Sequence, residues 1–191
     1  VGVIIALLLS PTIRPGSMMP WGANFIPSQR TVGMLNSIDQ HFIEQMVPHH
    51  DGAIDMANLA TQKSKHPEIK TLANAIIEAQ TKEVRDMRSW YKVWFGKDVP
   101  DESTVMMGGM MYQGGMHMGG KEDIKTLEIA ADFDKAFIEA MIPHHQLAIM
   151  MAQMLKSSTD RLEMLSLANN IIESQSKEIK EMQGWHNSWY K

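Results

Sequence analysis

Two short segments of the chain place a methionine and two adjacent histidines around a proline. Residues 46–50 read MVPHH and residues 141–145 read MIPHH. Thioether sulfur is a soft ligand and imidazole a borderline one, and together they favour Cu(I) and its analogue Ag(I) over hard divalent cations. On a helix, the methionine lies within a turn of both histidines. The spacing predicts one metal site in each segment, formed by Met46, His49 and His50 and by Met141, His144 and His145.

The proline inside each motif interrupts backbone hydrogen bonding beside the candidate ligands. Pro48 and Pro143 have no amide hydrogen, and a proline ring crowds the carbonyl four residues earlier. Each helix must therefore kink at the proline or begin again with the histidines in its first turn. A helix that only packs in a core has no need of such a break, so the motif favours a functional site.

Other side chains on the same predicted helices extend the candidate site. Counting back from the predicted turn places Glu83 level with Met46, and Glu178 has the equivalent position in the second segment. A carboxylate beside a ligating histidine commonly orients the ring through its second nitrogen. We therefore expect both glutamates to orient the histidines. Further candidate ligands are the methionines Met56, Met87, Met150, Met151, Met154 and Met182.

Both motifs belong to a duplicated unit. Residues 39–57 match residues 134–152 at 12 of 19 positions, and residues 72–90 match residues 167–185 at 11 of 19, both at an offset of 95. Apolar residues in each copy recur at three- and four-residue spacing, which predicts helices. Because the two matched blocks have the same offset, the whole unit was duplicated without a net insertion.

Each copy is predicted to form a helical hairpin. A hairpin of two amphipathic helices leaves one apolar face open, and two hairpins can close each other into an all-α four-helix bundle. We expect repeat 1 to span residues 31–96 and repeat 2 to span residues 124–191. The two repeats are expected to form one bundle.

Two further segments flank the repeats. Residues 1–30 begin with VGVIIALLL, an apolar run that fits the core of a secretory leader and is too short to span a bilayer. We expect an apolar leader or tether there, and an exported protein. Residues 97–123 join the repeats and contain paired glycines, which argue against a regular helix. We interpret this linker as a loose set of soft ligands, with the candidates Met106, Met107, Met110, Met111, Met116, His117 and Met118.

The composition narrows the classes of function. The chain of 191 residues is 44% hydrophobic and 21% charged, which is a globular composition. Its net charge of -4 argues against a nucleic-acid partner, because phosphate backbones require a basic surface. There are 18 methionines and no cysteine, so any soft ligand is a thioether, which cannot be lost to a disulfide in an oxidising compartment.

Both repeats carry the pattern D-x-x-F-I-x-x-M-[IV]-P-H-H-x-x-A-I-x-M-A, followed by L-A-N-x-I-I-E-x-Q-x-K-E. In this pattern the chain resembles the tandem-repeat, copper-resistance members of the domain-of-unknown-function 305 family, which are ferritin-like helical proteins. The resemblance implies a four-helical, periplasmic or secreted Cu(I) binder, with binding roles for the methionine and histidines of each motif. For the linker the resemblance is one of composition alone, so no single linker methionine inherits a role.

The motif departs from the pattern of iron-binding bundles. Di-iron bundles use Glu-x-x-His, whereas Met46 and Met141 stand here in place of the glutamate. We therefore predict a non-enzymatic Cu(I)-binding protein that buffers copper or passes it to an efflux or sensor protein. Two alternatives stay open. One is a ferritin-like redox metalloenzyme, which needs Glu83 and Glu178 as direct ligands, and the other is a structural module whose methionine-rich faces bind a partner chain.

Overall fold

The computed structural model describes residues 29–100 and 121–191, with side chains described for residues 38–100 and 124–191. These parts of the chain form an all-helical bundle of two hairpins, as the sequence predicts. The helices are α1 (Gln29–Lys63), α2 (Pro67–Phe95), α3 (Lys121–Glu128), α4 (Phe133–Lys156) and α5 (Leu162–Trp189). Helices α1 and α2 form the first hairpin, and α4 and α5 form the second.

Two predicted features lie outside the described residues. One is the apolar leader, of which residues 1–28 are not described, and the other is the central part of the linker, residues 101–120. The candidate linker ligands therefore stay predictions; they are Met106, Met107, Met110, Met111, Met116, His117 and Met118.

The ends of α2 follow from its sequence. Pro67 lies in the first turn, where its missing amide hydrogen costs nothing, and Glu68 lies at the positive end of the helix. The helix stops at Gly96, which has a φ of 69° and donates its amide hydrogen to the carbonyl of Lys92. Glycine adopts this left-handed conformation without the steric cost of a side chain.

Both motif prolines lie inside continuous helices. Pro48 is within α1 and Pro143 is within α4, so the alternative in which a new helix begins at the histidines is wrong. A proline inside a helix costs about 3 kcal/mol. Buried apolar side chains on both sides of it, such as Ile43 before Pro48 and Met56 after it, each contribute about 1.5–3 kcal/mol. Packing of the flanking turns therefore keeps each helix in one piece.

Helices α1 and α4 pack against each other in antiparallel directions. In the N-terminal third of α1, the carboxylate of Asp39 accepts a hydrogen bond from Arg161, which follows α4. At the start of α4, the carboxylate of Asp134 accepts hydrogen bonds from the amides of Lys65 and His66, which follow α1. The start of each helix thus meets the end of the other, which fixes their relative direction.

Two apolar clusters fill the two halves of the bundle, and both contain residues from both repeats. Along all four long helices, the residues of one cluster are separated in sequence from those of the other by a short buried polar segment. These segments form a polar layer across the middle of the bundle, which we call the histidine layer. Its members are His49, His50, Gln80, His144, His145 and Gln175.

The short helix α3 is not predicted by the sequence pattern. Leu127 is buried in one of the apolar clusters, and the Lys63 ammonium donates a hydrogen bond to the carbonyl of Glu128. Contacts with the first hairpin therefore hold a segment too short to show a clear periodicity. Within the described ranges, no helix combines the length and hydropathy needed to cross a bilayer.

Candidate metal centre

The first histidines of the two motifs meet in the middle of the bundle. The ring centroids of His49 and His144 are 3.7 Å apart, and their planes are inclined by 38°. Within each motif the neighbouring rings are farther apart, at 6.4 Å for His49 and His50 and 6.2 Å for His144 and His145. Adjacent helical residues point in different directions, as the sequence predicts. The contact between the repeats is an addition that the sequence did not predict.

The second histidine of each motif faces a glutamate of its own hairpin. His50 Nε2 lies 2.8 Å from a carboxylate oxygen of Glu83, and His145 Nε2 lies 2.6 Å from one of Glu178. An ionised carboxylate only accepts hydrogen bonds, so a neutral ring facing it carries its hydrogen on Nε2 and a lone pair on Nδ1. The predicted orienting contact is confirmed in both repeats. It leaves Nδ1 as the nitrogen that is free to bind a metal.

Buried polar atoms without a hydrogen-bond partner are concentrated in this layer. Among the described residues, both ring nitrogens of His49 and of His144 lack a partner, and so does Nδ1 of His50 and of His145. The amide oxygens of Gln80 and Gln175 also lack a hydrogen-bond partner among the described residues. Each such atom costs about 1–3 kcal/mol, and native proteins keep few of them. Their symmetric occurrence in one layer makes this layer the candidate ligand site.

Burial keeps the two central rings neutral. It lowers the pKa of His49 to about 3, with smaller contributions from the neighbouring His50 and His145. Burial also lowers the pKa of His144 far below its ordinary value, and the three other histidines of the layer add to the effect. Metals bind the neutral form of imidazole. At neutral pH the lone pairs of both rings are therefore available.

The motif methionines lie on opposite sides of the layer. Met46 is fully buried in one apolar cluster and Met141 in the other. Each is three residues before the first histidine of its motif, a rise of about 4.5 Å along the helix. Because α1 and α4 are antiparallel, one methionine lies above the central histidine pair and the other below it.

The remaining candidate methionines are of two kinds. Those inside the apolar clusters are buried, and their role as ligands stays a prediction; they are Met56, Met87 and Met182. On α4, Met150 and Met154 are 46% and 64% exposed, and Met151 is partly buried. Met150 and Met154 are four residues apart and lie on one outer face of the helix. Their exposure distinguishes them from the buried central pair.

Two pairs of end contacts hold the central histidines in register, and the spacing argument missed them. His66 stacks on Trp189 with ring centroids 3.8 Å apart, and its Nδ1 lies 2.6 Å from Asp134. At the other end, the Arg161 guanidinium lies 4.2 Å from the ring centroid of Trp94 and 2.9 Å from Asp39. All three positions recur at the offset of 95, which was the available signal: a histidine or arginine, an aspartate and a tryptophan.

The arrangement differs from a carboxylate metal site. Within residues 38–100 and 124–191, no group of three or more histidine, aspartate or glutamate side chains is placed to hold a metal ion. The carboxylates of Glu83 and Glu178 contact the second histidines instead. Outside the layer, the motif methionines Met46 and Met141 are the nearest candidate ligands along α1 and α4.

Comparisons with known proteins place this arrangement among its relatives. The model of the DUF305 family, a domain of unknown function, matches residues 39–186. CopM in the Cu(I)-bound form is 46% identical to this chain, with a TM-score of 0.69, and the match covers 80% of this chain and 98% of CopM. CopM in the Cu(II)-bound form is 51% identical, with a TM-score of 0.70, and covers 80% of this chain and 97% of that one. CopM has also been solved in an Ag-bound form.

Two further matches are a solved structure and a viral sequence. A DUF305 fragment from Deinococcus radiodurans is 26% identical, with a TM-score of 0.63, and the match covers 77% of this chain and 93% of the fragment. The uncharacterized protein L153 of Acanthamoeba polyphaga mimivirus is 39% identical over 51 residues, which are 27% of this chain. That segment covers 34% of L153, so this chain matches about a third of that relative's length.

Proposed function

This chain belongs to the DUF305 family, and we propose that it binds Cu(I), with Ag(I) as an analogue, through the methionines and histidines of its two repeats. The observation that carries the proposal is the buried layer of imidazole nitrogens that lack a hydrogen-bond partner among the described residues. The similarity to CopM, whose solved forms contain Cu(I), Cu(II) or Ag, supports the choice of metal.

The chemistry of the layer suits a soft monovalent ion. Thioether and neutral imidazole ligands add no charge of their own, so a bound Cu(I) brings one positive charge into a buried region. A buried charge is costly unless it is compensated. Glu83 and Glu178 lie behind the second histidines, where their carboxylates offset that charge through the rings.

The role that we propose is to sequester or transfer copper, without catalysis. The central ligands are buried, which suits retention of an ion. Met150 and Met154 present thioethers to solvent on α4, which suits exchange of an ion with a copper efflux or sensor protein. The linker methionines form a further weak set in this proposal, because thioethers are neutral, weak ligands and glycine pairs impose no geometry.

We further propose that the protein acts in the periplasm or outside the cell. The apolar run at residues 1–9 has the length and composition of a leader core. A ligand set without cysteine is also suited to an oxidising compartment, where thiols are lost to disulfides.

The direct test is metal loading under reducing conditions. Wild-type protein loaded with Cu(I) should hold it against a chromophoric chelator, and excess Fe(II) should not displace it. A variant with asparagine at all four motif histidines should lose tight binding, while His186→Asn, which changes a partly exposed histidine, should retain it. Circular dichroism establishes that the variants are folded. Tight binding by the folded four-histidine variant would contradict the proposed site.

A redox enzyme would give a different result in the same experiment. Tight iron binding, followed by dioxygen-dependent oxidation that disappears when Glu83 and Glu178 are changed to glutamine, would favour a ferritin-like oxidase. Binding of a partner chain without any metal would favour the structural module.

A further inference from the structure

We propose that repeat 2 carries a separate surface site for Cu(II), in which His186 on α5 and Glu139 on α4 are the protein ligands. The two side chains meet at a surface groove of about 460 Å³ between these helices. Neither ligand belongs to the MIPHH motif, so the site is distinct from the proposed Cu(I) ligands and stands or fails without them. The groove is lined by Glu139, Ile142, Pro143, Gln183, His186 and Asn187.

The equivalent position of repeat 1 is occupied by a buried tyrosine. At the offset of 95, Tyr91 corresponds to His186 and Glu44 corresponds to Glu139. Tyr91 is fully buried, and its hydroxyl donates a hydrogen bond to Glu44. The side-chain amide of Gln40 donates a second hydrogen bond, of 2.8 Å, to the same carboxylate oxygen. The contacts of its own hairpin therefore satisfy Glu44.

In repeat 2 the equivalent carboxylate is held more loosely and is open to solvent. His186 Nε2 lies 3.2 Å from Oε1 of Glu139, and the Lys135 ammonium lies 3.9 Å from the same oxygen. The side chain of Glu139 is 54% exposed and that of His186 is 31% exposed. An ion can therefore reach both ligand atoms from solvent while the bundle stays folded. The Lys135 side chain is itself 45% exposed, so its ammonium can turn away into water.

The distance between the two ligand atoms suits a single metal ion. Metal–nitrogen and metal–oxygen bonds of about 2.0–2.2 Å, at an angle of about 90–100°, place the two ligand atoms about 2.8–3.3 Å apart. The observed separation of 3.2 Å lies within this range. Binding replaces the contact between the two side chains, because the Nε2 lone pair must face the ion and the ring then carries its hydrogen on Nδ1.

The types of ligand atom select Cu(II). Imidazole nitrogen and carboxylate oxygen suit this ion, which binds such ligands more tightly than the other divalent first-row ions do and accepts a tetragonal arrangement. Water and the side-chain amides of Gln183 and Asn187 can complete the shell in the open groove. None of the described residues that line the groove carries a thioether, so Cu(I) is not favoured there.

The charge balance is also different from that of the buried layer. The carboxylate of Glu139 offsets one of the two positive charges of Cu(II), and solvent compensates the other because the site is at the surface. The two oxidation states of copper are thus separated by ligand and by depth. Cu(I) belongs to the buried thioethers and imidazoles, and Cu(II) belongs to the exposed nitrogen and oxygen pair.

The test measures Cu(II) affinity by equilibrium dialysis, without a reductant, after Ag(I) has been added to occupy the soft ligands. His186→Tyr introduces the side chain that repeat 1 has at this position, and Glu139→Gln removes the carboxylate charge while keeping its shape. Each should weaken the tightest Cu(II) binding by about tenfold or more. His41→Asn, which changes an exposed histidine of α1, is the control and should retain it. Wild-type affinity in either groove variant would overturn the proposal.

A second measurement identifies the ligand directly. The remote nitrogen of a bound imidazole modulates the electron spin echo of Cu(II), and Ag(I) is diamagnetic and does not interfere. This modulation should be present in the wild type at one equivalent of Cu(II) and absent from His186→Tyr, with circular dichroism establishing that the variant is folded. Modulation that persists in the folded variant would overturn the proposed site.

The same variants separate this site from the proposed function. His186→Tyr should lose Cu(II) and keep Cu(I), whereas the variant with asparagine at all four motif histidines should lose Cu(I) and keep Cu(II) at the groove. Loss of both ions in the folded four-histidine variant would show that Cu(II) also depends on the buried layer, which would overturn the separate site and leave the proposed function standing.

Discussion

The two repeats make the same contacts in the middle of the bundle and different contacts at its two ends. In the middle, both copies keep the same contact, His50 with Glu83 and His145 with Glu178. At the ends, the residue that meets an aspartate and a tryptophan is a histidine in one copy and an arginine in the other, namely His66 and Arg161. His49 and His144 are equivalent residues that contact each other, so a substitution at one of them must fit the other. Each end is separate, so each can change by itself.

The side-chain pairs that join the two helices of each hairpin have diverged as well. In repeat 1 the Tyr91 hydroxyl donates a hydrogen bond to Glu44, and burial together with this carboxylate raises the pKa of Tyr91. In repeat 2 the equivalent pair is His186 and Glu139, with 3.2 Å between the ring nitrogen and the carboxylate. Different side chains thus perform the same bridging role between the two helices of a hairpin. The difference supports the view that the central layer is constrained by more than packing.

The largest expected effect is the response of the metal-free protein to acid. In the unfolded chain, histidines take up protons below a pH of about 6.5, whereas the folded state keeps His49 neutral down to a pH of about 3 and His144 lower still. The free energy of unfolding should therefore fall by about 1.4 kcal/mol per pH unit for each ring below pH 6.5. Urea denaturation between pH 7 and pH 4 measures this slope. The His49→Asn, His144→Asn variant should lose this pH dependence. An unchanged slope in the variant would mean that groups at the ends of the bundle cause it.

The next largest effect distinguishes the two ends. At Asp134, burial raises the pKa, but hydrogen bonds from Ser64, His66 and Lys65 outweigh it and hold the pKa below its ordinary value. At Asp39, burial outweighs the hydrogen bonds and the charge of Arg161, and the pKa is raised. The ionised form is thus favoured at one end and disfavoured at the other.

Removal of the two aspartates should accordingly have unequal costs. Asp134→Ala leaves two backbone amides and a histidine without their acceptor, and should lower the free energy of unfolding by about 3 kcal/mol. Asp39→Ala should cost about 1–2 kcal/mol, because Arg161 is partly exposed and keeps its contact with Trp94. Urea denaturation at pH 7 gives both values. Equal losses would contradict the asymmetry between the ends.

A smaller effect tests the equivalence of the two repeats in the middle. Glu83→Gln and Glu178→Gln should each weaken Cu(I) binding by about tenfold, because a neutral amide orients the ring and offsets the charge less well. Chelator competition measures the affinity of each variant. Glu139→Gln, which changes a largely exposed carboxylate on the same face of repeat 2 as His186, should leave it unchanged. A loss of Cu(I) affinity in only one of the two glutamine variants would show that the two repeats are not equivalent in the middle of the bundle.

The smallest effect concerns the exposed sulfur that only repeat 2 carries. Met150→Leu with Met154→Leu should change the free energy of unfolding by less than about 0.5 kcal/mol, since both side chains are at the surface. Only weakly held Ag(I) should be lost in an equilibrium dialysis. The reciprocal change, Asp55→Met with Leu59→Met, should add such binding to repeat 1. A loss of tightly held metal in the leucine variant would connect this surface to the central layer.

Much of the site could be predicted because it depends on spacing within one hairpin. Counting helical rise on both sides of a short turn places Glu83 level with Met46 and near the motif histidines, and the duplication carries this to Glu178. The structure adds that the partners are His50 and His145. The stop at Gly96 follows from the preference of glycine for left-handed backbone. Local geometry was sufficient in each case.

Contacts between the hairpins could not be predicted in the same way. The counting that places Glu83 beside its histidine has no equivalent across residues 97–123, because a linker sets no register. The continuity of α1 through Pro48 was also uncertain from sequence, since it depends on packing by the other repeat. Helix α3 is similarly held by contacts, through Leu127.

The amino-acid sequence by itself determined the duplicated helical hairpin, the candidate soft ligands and the expectation of a glutamate beside the histidines of each motif, because these depend on residue type and helical rise. Only the tertiary structure decided that His49 meets His144. That contact requires α1 and α4 to be antiparallel with a defined offset, and the offset is set by Asp39 and Asp134 at the two ends of the bundle. Contacts between residues about 70 to 120 positions apart in sequence form only when the two hairpins pack against each other.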